Sequence, residues 1–227
     1  MDRSIRRYAR FGGVLYLCVF IAATFGEVFV TGALVADGNA PRTAAKIAGD
    51  AQLWRLSVGA ECVTLLCDVA IAWVLYVILR PAGQRLALLA AFFRLTYVAV
   101  YAGAVVANVM ALRLAQARLA DAAMFALRAH DAAFALGLVF FGGHLAIVGF
   151  LLAQRPIAQQ WLAVILVITG ACYIVNTFSG FVLPSLHAVL FPWILVPAFF
   201  GELGLTFWLL FDGPRVAAMW DETQSAP

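Results

Sequence analysis

The chain has 227 residues, of which 65% are hydrophobic and 12% are charged, and its mean hydropathy is +0.96. A soluble domain carries about twice that charged fraction, so the composition excludes an ordinary water-soluble domain. The formal net charge of +3 excludes the strongly basic surface that nucleic-acid binding requires. The four cysteines lie in apolar runs and form no CxxC pair, so we interpret them as small buried side chains.

Six apolar stretches are each long enough to cross a bilayer, whose hydrocarbon core takes about 20 helical residues. The sequence therefore predicts an all-α, polytopic integral membrane protein with six transmembrane helices in a bundle. Breaks at "DGNAP", "RPAGQR", "QRPIAQQ", "LPSLH" and "DGP" bound the stretches. The polar segment 113–131 is predicted to be an interfacial helix or a helical extension. The predicted spans are 11–35, 56–79, 86–112, 132–152, 161–182 and 189–211.

Around these spans we predict a cytoplasmic basic N-tail (1–10), a transmembrane domain (11–212) and a short C-terminal tail (213–227). The N-tail "MDRSIRRYAR" is dense in arginine. By the positive-inside rule its N-terminus is cytoplasmic, and an even number of spans returns the C-terminus to the same side. The first apolar stretch exceeds the 7–15 residues of a signal peptide core, so we predict that it is retained.

Seven polar residues within the spans are candidates for a polar interior. A charged side chain at mid-bilayer costs several kcal/mol, and it normally faces the protein interior with a partner. Glu61 and Asp68 are seven residues apart and therefore share one helix face. We predict that all seven line a polar interior, in which Arg94 pairs with Asp68 or Glu202. The seven are Glu27, Glu61 and Asn176 in the outer half of the membrane, Asp68, His144 and Glu202 near its middle, and Arg94 in the inner half.

His144 and Glu202 form the most specific hypothesis for a working site. Both are predicted near the midplane, beside Gly142–Gly143 and Pro197, and transporters often build sites from broken helices at that depth. The Pro197 ring is expected to free the backbone carbonyl of Trp193. A structural reading stays open, in which the polar residues only hold helices in register. The other histidines, His130 and His187, are interpreted as residues near the membrane interface.

The chain contains no HExxH, Walker A or GxSxG pattern. "FSG" at 178–180 and the later His187 are only superficially similar to a serine–histidine pair. The acids and His144 come from different predicted helices without ligand spacing on one of them, so we predict no metal site and no cofactor. Gly142, Ala146 and Gly149 share one helix face, which predicts a seam of close helix packing.

The order of short motifs resembles the DUF4386 family of bacterial multipass membrane proteins. The matching pieces cover all six spans, although the family reads T-A-x-N-I where this chain has "TAAKI", so Lys46 departs from the pattern. The resemblance implies a six-span protein without an assigned activity, in a bacterial inner (plasma) membrane. It places Arg55, Arg94, His144 and Glu202 inside family motifs. The pieces are "RRYARFGGVLYL", "PRTAAKIAGDAQLWRLSVGAE", "LALLAAFFRLTYVAV", "FFGGHLAIVGFLL", "VLVITGACYIVNTF" and "GELGLTFWLLFDG".

From these observations we predict a transporter- or permease-like protein with a proton-titratable polar interior. A non-catalytic membrane scaffold or partner-binding subunit is the alternative from another class, and an intramembrane enzyme is the third. The expected partner is the lipid bilayer and not nucleic acid. The sequence names neither a small-molecule substrate nor an oligomeric state.

Overall fold

The computed structural model describes residues 2–36, 38–154 and 160–212. The predicted C-terminal tail and most of the "QRPIAQQ" break lie outside these residues. Within the described ranges the structure contains helices and no strand, which confirms the predicted all-α class. The α-helices are α1 (Asp2–Ala23), α2 (Gly32–Leu34), α3 (Ala40–Gly49), α4 (Ala51–Gln116), α5 (Ala120–Ala153), α6 (Gln160–Val182), α7 (Pro184–Leu190) and α8 (Val196–Phe207).

Five of the described helical segments are long and apolar enough to cross a membrane. They are Arg6–Leu34, Ala51–Gln116, Ala120–Ala153, Gln160–Val182 and Trp193–Phe211. The first combines α1, a π-helical stretch (Thr24–Thr31) and α2. The predicted count of six spans stays a prediction, because the second and third predicted spans both fall within α4.

Helix α4 has 66 residues and a non-helical residue inside it, Gly83, two positions after Pro81. Asp68 and Arg94 lie on either side of this break, and their side chains are 2.5 Å apart. In a straight helix, 26 residues would separate them by about 39 Å. The chain must therefore reverse direction between them, within the predicted "RPAGQR" break. Proline inside a helix removes one backbone hydrogen bond and favours such an interruption.

The boundaries of α3 and α5 follow from local chemistry. Asn39 caps α3 by accepting a hydrogen bond from the Arg42 backbone N–H (3.0 Å), and a proline occupies the first turn of the helix. Helix α4 ends at a short turn in which Arg118 has a left-handed φ of 63°. Helix α5 then starts at Ala120 and runs through the fourth predicted span. Of the two alternatives for segment 113–131, the structure therefore favours the helical extension.

The last apolar segment differs from its prediction. It begins at Trp193 as a short 3₁₀ turn (Trp193–Leu195), continues as α8 and ends as a π-helix (Trp208–Asp212). Pro197 lies in the first turn of α8, where its missing N–H costs no helical bond. The expectation that Pro197 frees the Trp193 carbonyl is wrong, because that carbonyl accepts the Val196 N–H.

The chain forms two compact units. The first unit comprises 1–17, 68–97 and 138–227, and the second comprises 18–67 and 98–137. In the second unit, Ile47, Trp54 and Ala123 belong to one buried apolar cluster. In the first unit, α6 packs against α7 and α8.

The seam of small residues predicted on α5 is confirmed. A Cβ atom added to Gly142 would lie 2.6 Å from the carbonyl oxygen of Gly170 on α6. One added to Gly149 would lie 2.6 Å from the carbonyl oxygen of Ala163, also on α6. The two backbones are therefore too close for any side chain larger than hydrogen at these positions. This contact fixes the distance between α5, which carries His144, and α6, which carries Asn176.

Candidate functional site

Arg94 forms the centre of a buried polar group in the first unit, which we call the Arg94 cluster (Tyr16, Asp68, Arg94, His144). Its side chain is 1% exposed. Nη2 donates to Asp68 Oδ1 at 2.5 Å, and Nη1 donates to the Tyr16 hydroxyl and to His144 Nε2, the latter at 3.1 Å. Of the two acids predicted to pair with Arg94, Asp68 makes this contact.

The partners of His144 fix its tautomer. Its Nδ1 lies 2.9 Å from the carbonyl oxygen of Ala90, which can only accept, so Nδ1 carries the hydrogen. Arginine can only donate, so Nε2 accepts from Arg94. The imidazole is therefore neutral in this arrangement, and a proton on Nε2 would abolish the bond to Arg94. His144 on α5 is therefore hydrogen-bonded to the part of α4 that follows Gly83, through Ala90 and Arg94.

Aromatic rings enclose the guanidinium. Its central carbon lies 4.8 Å from the Tyr16 ring centroid and 5.2 Å from that of Phe141. Such cation–π contacts stabilise a desolvated cation. Among the three nitrogen atoms of the Arg94 side chain, Nε is the one without a hydrogen-bond partner in the described residues. The Arg94 cluster thus neutralises its charge internally and keeps it in an apolar surrounding.

Glu202 and Asn176 also belong to the first unit. The carboxylate of Glu202 is partly buried and accepts a hydrogen bond from the Tyr173 hydroxyl. Thr206 donates to the backbone carbonyl of Glu202 at 2.8 Å. Asn176 is 8% exposed, and its Oδ1 has no hydrogen-bond partner among the described residues. Glu202 therefore bonds to Tyr173, whereas His144 bonds to Arg94 and Ala90.

A second polar group lies in the second unit, and we call it the Glu61 cluster (Glu61, Asn108, His130, Asp131). Glu61 Oε1 accepts from Asn108 Nδ2 at 3.0 Å and lies 3.0 Å from His130 Nε2. His130 Nδ1 lies 3.2 Å from Asp131 Oδ1. Both ring nitrogens therefore face carboxylate oxygens. Two ionised carboxylates in these positions require two N–H donors, which only the imidazolium form provides.

The other oxygen of Glu61 has no such support. Glu61 is 7% exposed, and Oε2 is buried without a hydrogen-bond partner among the described residues. A buried charged oxygen without a donor is costly, because it has lost water and gained nothing in its place. A proton on this oxygen would remove the negative charge. Glu61 is consequently the described acid that combines one hydrogen-bonded oxygen with one buried oxygen that lacks a donor.

The position of His130 near the membrane interface stays a prediction, but its side chain is buried within the protein. His130 is 5% exposed and stacks on Phe134, with the ring centroids 6.3 Å apart. The pair His130–Asp131 at the edge of an apolar run was a signal for this site, because an adjacent acid can orient an imidazole. The sequence does not reveal that Glu61 lies on the other side of the ring.

Glu27 differs from the other predicted interior residues. It lies in the π-helical stretch Thr24–Thr31, and its side chain is exposed. The seven predicted residues thus have different local environments. Asp68, Arg94 and His144 meet in the Arg94 cluster, and Glu61 belongs to the Glu61 cluster. In the described ranges, no group of three or more His, Cys, Asp or Glu side chains could hold a metal ion.

Ser179 and His187 do approach each other, and His187 belongs to α7. Ser179 Oγ lies 3.3 Å from His187 Nδ1 and donates to the Asn176 carbonyl oxygen at 2.9 Å. The hydroxyl hydrogen is therefore used on the backbone, and Ser179 is the acceptor toward the imidazole. A nucleophilic serine must instead donate to its base. The geometry fits a polar link between α6 and α7.

Comparison with known proteins places this chain. The sequence model of the family described as "Domain of unknown function (DUF4386)" matches residues 11–213. The chain belongs to the DUF4386 family. The resemblance found in the sequence motifs is therefore confirmed.

One relative of this DUF4386 protein is described as "Uncharacterized protein" and comes from Archaeoglobus fulgidus. It is 28% identical over 156 residues, which cover 67% of this chain and 81% of the relative. Among solved structures there is no significant match. Neither the family description nor that of the relative names an activity.

Proposed function

We propose that this DUF4386 protein is a small transporter or permease that couples its cycle to a proton, and that Glu61 and His130 carry that proton. The observation that carries the proposal is the buried Glu61 carboxylate, with Oε1 on His130 and Asn108 and Oε2 without a partner. Five of the described helical segments are apolar enough to cross a membrane. We further propose six spans in a bacterial inner membrane.

The Glu61 cluster supports a proton relay because its groups can exchange one proton over short distances. Imidazole changes charge near neutral pH more readily than any other side chain. The ring nitrogens of His130 lie 3.0 Å from Glu61 Oε1 and 3.2 Å from Asp131 Oδ1. Asp131 is largely exposed, with 79% of its side-chain surface accessible. A proton taken up at Asp131 can therefore pass through His130 to the buried carboxylate of Glu61.

The Arg94 cluster supports a different role. His144 accepts from Arg94 in its neutral form, so protonation would cost that bond, and the arginine itself does not lose its proton in proteins. We therefore assign the working proton to Glu61 and His130, and we assign His144 to the support of Arg94. The bonds within the same cluster favour the second candidate function, a non-catalytic membrane scaffold, because buried polar bonds of this kind hold helices in register.

Glu61→Gln and His130→Gln should each yield stable, normally expressed protein that has lost its function. Glutamine keeps the size of Glu61 and still accepts from Asn108, but it cannot be protonated at physiological pH. The measurement is complementation of a strain that lacks the gene, together with thermal stability in detergent. Asp121→Asn is the matched control, since Asp121 is an exposed acid on the same helix as His130.

Full complementation by both glutamine variants would exclude the proton relay. If both variants complement and are also less stable, the scaffold role is supported. Infrared spectroscopy provides a test that needs no phenotype. A Glu61 that carries the proton should give a carboxylic acid band in the parent protein that is missing from Glu61→Gln.

Both termini are expected in the cytoplasm, because the arginine-rich N-tail is retained there and six spans form an even number. Fusion of alkaline phosphatase to the C-terminus should therefore give no activity, whereas a fluorescent protein at the same place should fluoresce. A fusion within the turn after α4 is the control, since this turn follows the third predicted span and should be periplasmic. Phosphatase activity at the C-terminus would contradict the span count or the orientation.

A further inference from the structure

A cavity of about 300 Å³ in the second unit carries positive charge. Its lining includes Arg55, Arg113 and Gln116, and the described lining residues include no acid. Both arginines are exposed. This volume is at the lower end of the range for small-ligand pockets, about 300–1,000 Å³. The cavity therefore fits a compact group with negative charge.

The lining of the cavity has a charged part and an apolar part. Val58, Val109 and Leu112 supply hydrocarbon to the lining, beside the two guanidinium groups. Planar guanidinium groups bind phosphate and carboxylate oxygens through pairs of N–H donors, and they do so better than lysine. A ligand that satisfies both parts has an anionic head and a short apolar body.

One wall of the cavity is fixed by the Glu61 cluster. The indole N–H of Trp54, another lining residue, donates to the Asn108 backbone oxygen at 3.0 Å. The Asn108 side chain in turn donates to Glu61. Trp54 is 2% exposed, so packing and this hydrogen bond both hold its indole in place.

The position of the arginines along the chain suggests where the ligand comes from. Arg55 directly precedes the predicted span 56–79, and Arg113 directly follows the predicted span 86–112. Residues at the ends of spans lie at the level of lipid headgroups. Arginine side chains at this level can bind lipid phosphate through pairs of N–H donors. A phosphate group is therefore available to the cavity from the membrane surface as well as from solution.

We propose that the cavity lined by Arg55 and Arg113 binds a phosphate group carried on an apolar or glycerol body, either a phospholipid headgroup or a soluble organic phosphate. The binding step involves no covalent change. The proposal concerns binding alone and does not depend on a proton relay at Glu61.

The test uses the full-length protein in detergent and three probes. These are phosphatidylglycerol, a diacylglycerol with the same chains but without phosphate, and glycerol 3-phosphate. Native mass spectrometry gives the affinity for each lipid, and the thermal midpoint measures binding of glycerol 3-phosphate. The variants are Arg55→Gln/Arg113→Gln and the control Arg42→Gln/Arg128→Gln, which removes the same charge from exposed arginines of the second unit outside the cavity.

Phosphatidylglycerol or glycerol 3-phosphate should bind the parent protein, and the affinity should fall about tenfold or more in Arg55→Gln/Arg113→Gln, as expected for lost charge-assisted hydrogen bonds. The control should bind like the parent. If the double variant loses affinity for phosphatidylglycerol alone, the cavity is a lipid site. If it loses affinity for glycerol 3-phosphate, the cavity is a site for soluble phosphates.

Two results would overturn the proposal. The first is equal binding of phosphatidylglycerol and diacylglycerol by the parent protein, together with no effect of glycerol 3-phosphate. The second is an equal loss of affinity in both double variants, which would mean that only net charge matters. Should Arg55→Gln/Arg113→Gln fail to fold, the two single glutamine variants replace it under the same criteria.

Discussion

Arg94→Leu should destabilise the protein by about 3–5 kcal/mol, the usual result of removing one partner from a buried ion pair. The substitution leaves the Asp68 carboxylate, which is 2% exposed, without its cation. It also removes the donor from Tyr16 and His144. The yield of folded protein and the thermal midpoint in detergent should both fall.

A second substitution, at Asp68, distinguishes loss of the Asp68–Arg94 ion pair from loss of the Arg94 side chain alone. Asp68→Leu/Arg94→Leu should recover part of the stability, because a pair of apolar residues of similar size often replaces a buried ion pair without cost. Recovery is incomplete because Tyr16 and His144 remain without their donor. Arg85→Leu is the control, since Arg85 is exposed on the same helix and should change stability by less than about 0.5 kcal/mol. An equal loss in the single and double variants would contradict the pairing.

Gly142→Ala should cost about 1–3 kcal/mol, as expected for an overpacked contact. The new methyl group would lie 2.6 Å from the Gly170 carbonyl oxygen and 2.9 Å from Ile174 Cγ1. The nearest atom belongs to the backbone and cannot turn aside, so α5 and α6 must separate. The measurement is the thermal midpoint in detergent, followed by the stability of the same variant toward denaturant.

Gly59→Ala is the matched control for this prediction. Gly59 lies inside α4, and a Cβ atom there would meet no atom within 4 Å. Alanine in a helix is more stable than glycine by about 0.5–1 kcal/mol, so this variant should be as stable as the parent or slightly more so. Similar midpoints for Gly142→Ala and Gly59→Ala would mean that the close approach of α5 to α6 does not contribute to stability.

Much of the fold could be predicted from the helical periodicity of the sequence. The apolar stretches marked the membrane-type helices, since a helix must be apolar over about 20 residues to cross a bilayer. The break near Gly83 was visible as "RPAGQR", and the α5–α6 seam was visible as Gly142 and Gly149 on one face. These features are local, and each depends on residues within a few turns of one another.

The hydrogen-bond partners of the polar residues could not be predicted from local patterns in this way. Periodicity gave the face and the approximate depth of Asp68, Arg94 and His144, which was enough to predict that Arg94 has an acid partner. It gave no basis for Tyr16 as a further partner or for the tautomer of His144. Those depend on which helix faces which, and the hydrocarbon surfaces that decide helix packing look alike in sequence.

The sequence by itself determined that this chain is helical, that it has helices apolar enough for a membrane, that it resembles the DUF4386 family, and that Arg94 needs an acid. Only the tertiary structure decided that Asp68 is that acid, that His130 is buried against Glu61, and that Arg55 and Arg113 share a cavity. The physical reason is that burial and chain periodicity are properties of one helix, whereas hydrogen-bond partners are set by contacts between segments far apart in the chain. For Glu61 and His130 that separation is 69 residues, and no local pattern spans it.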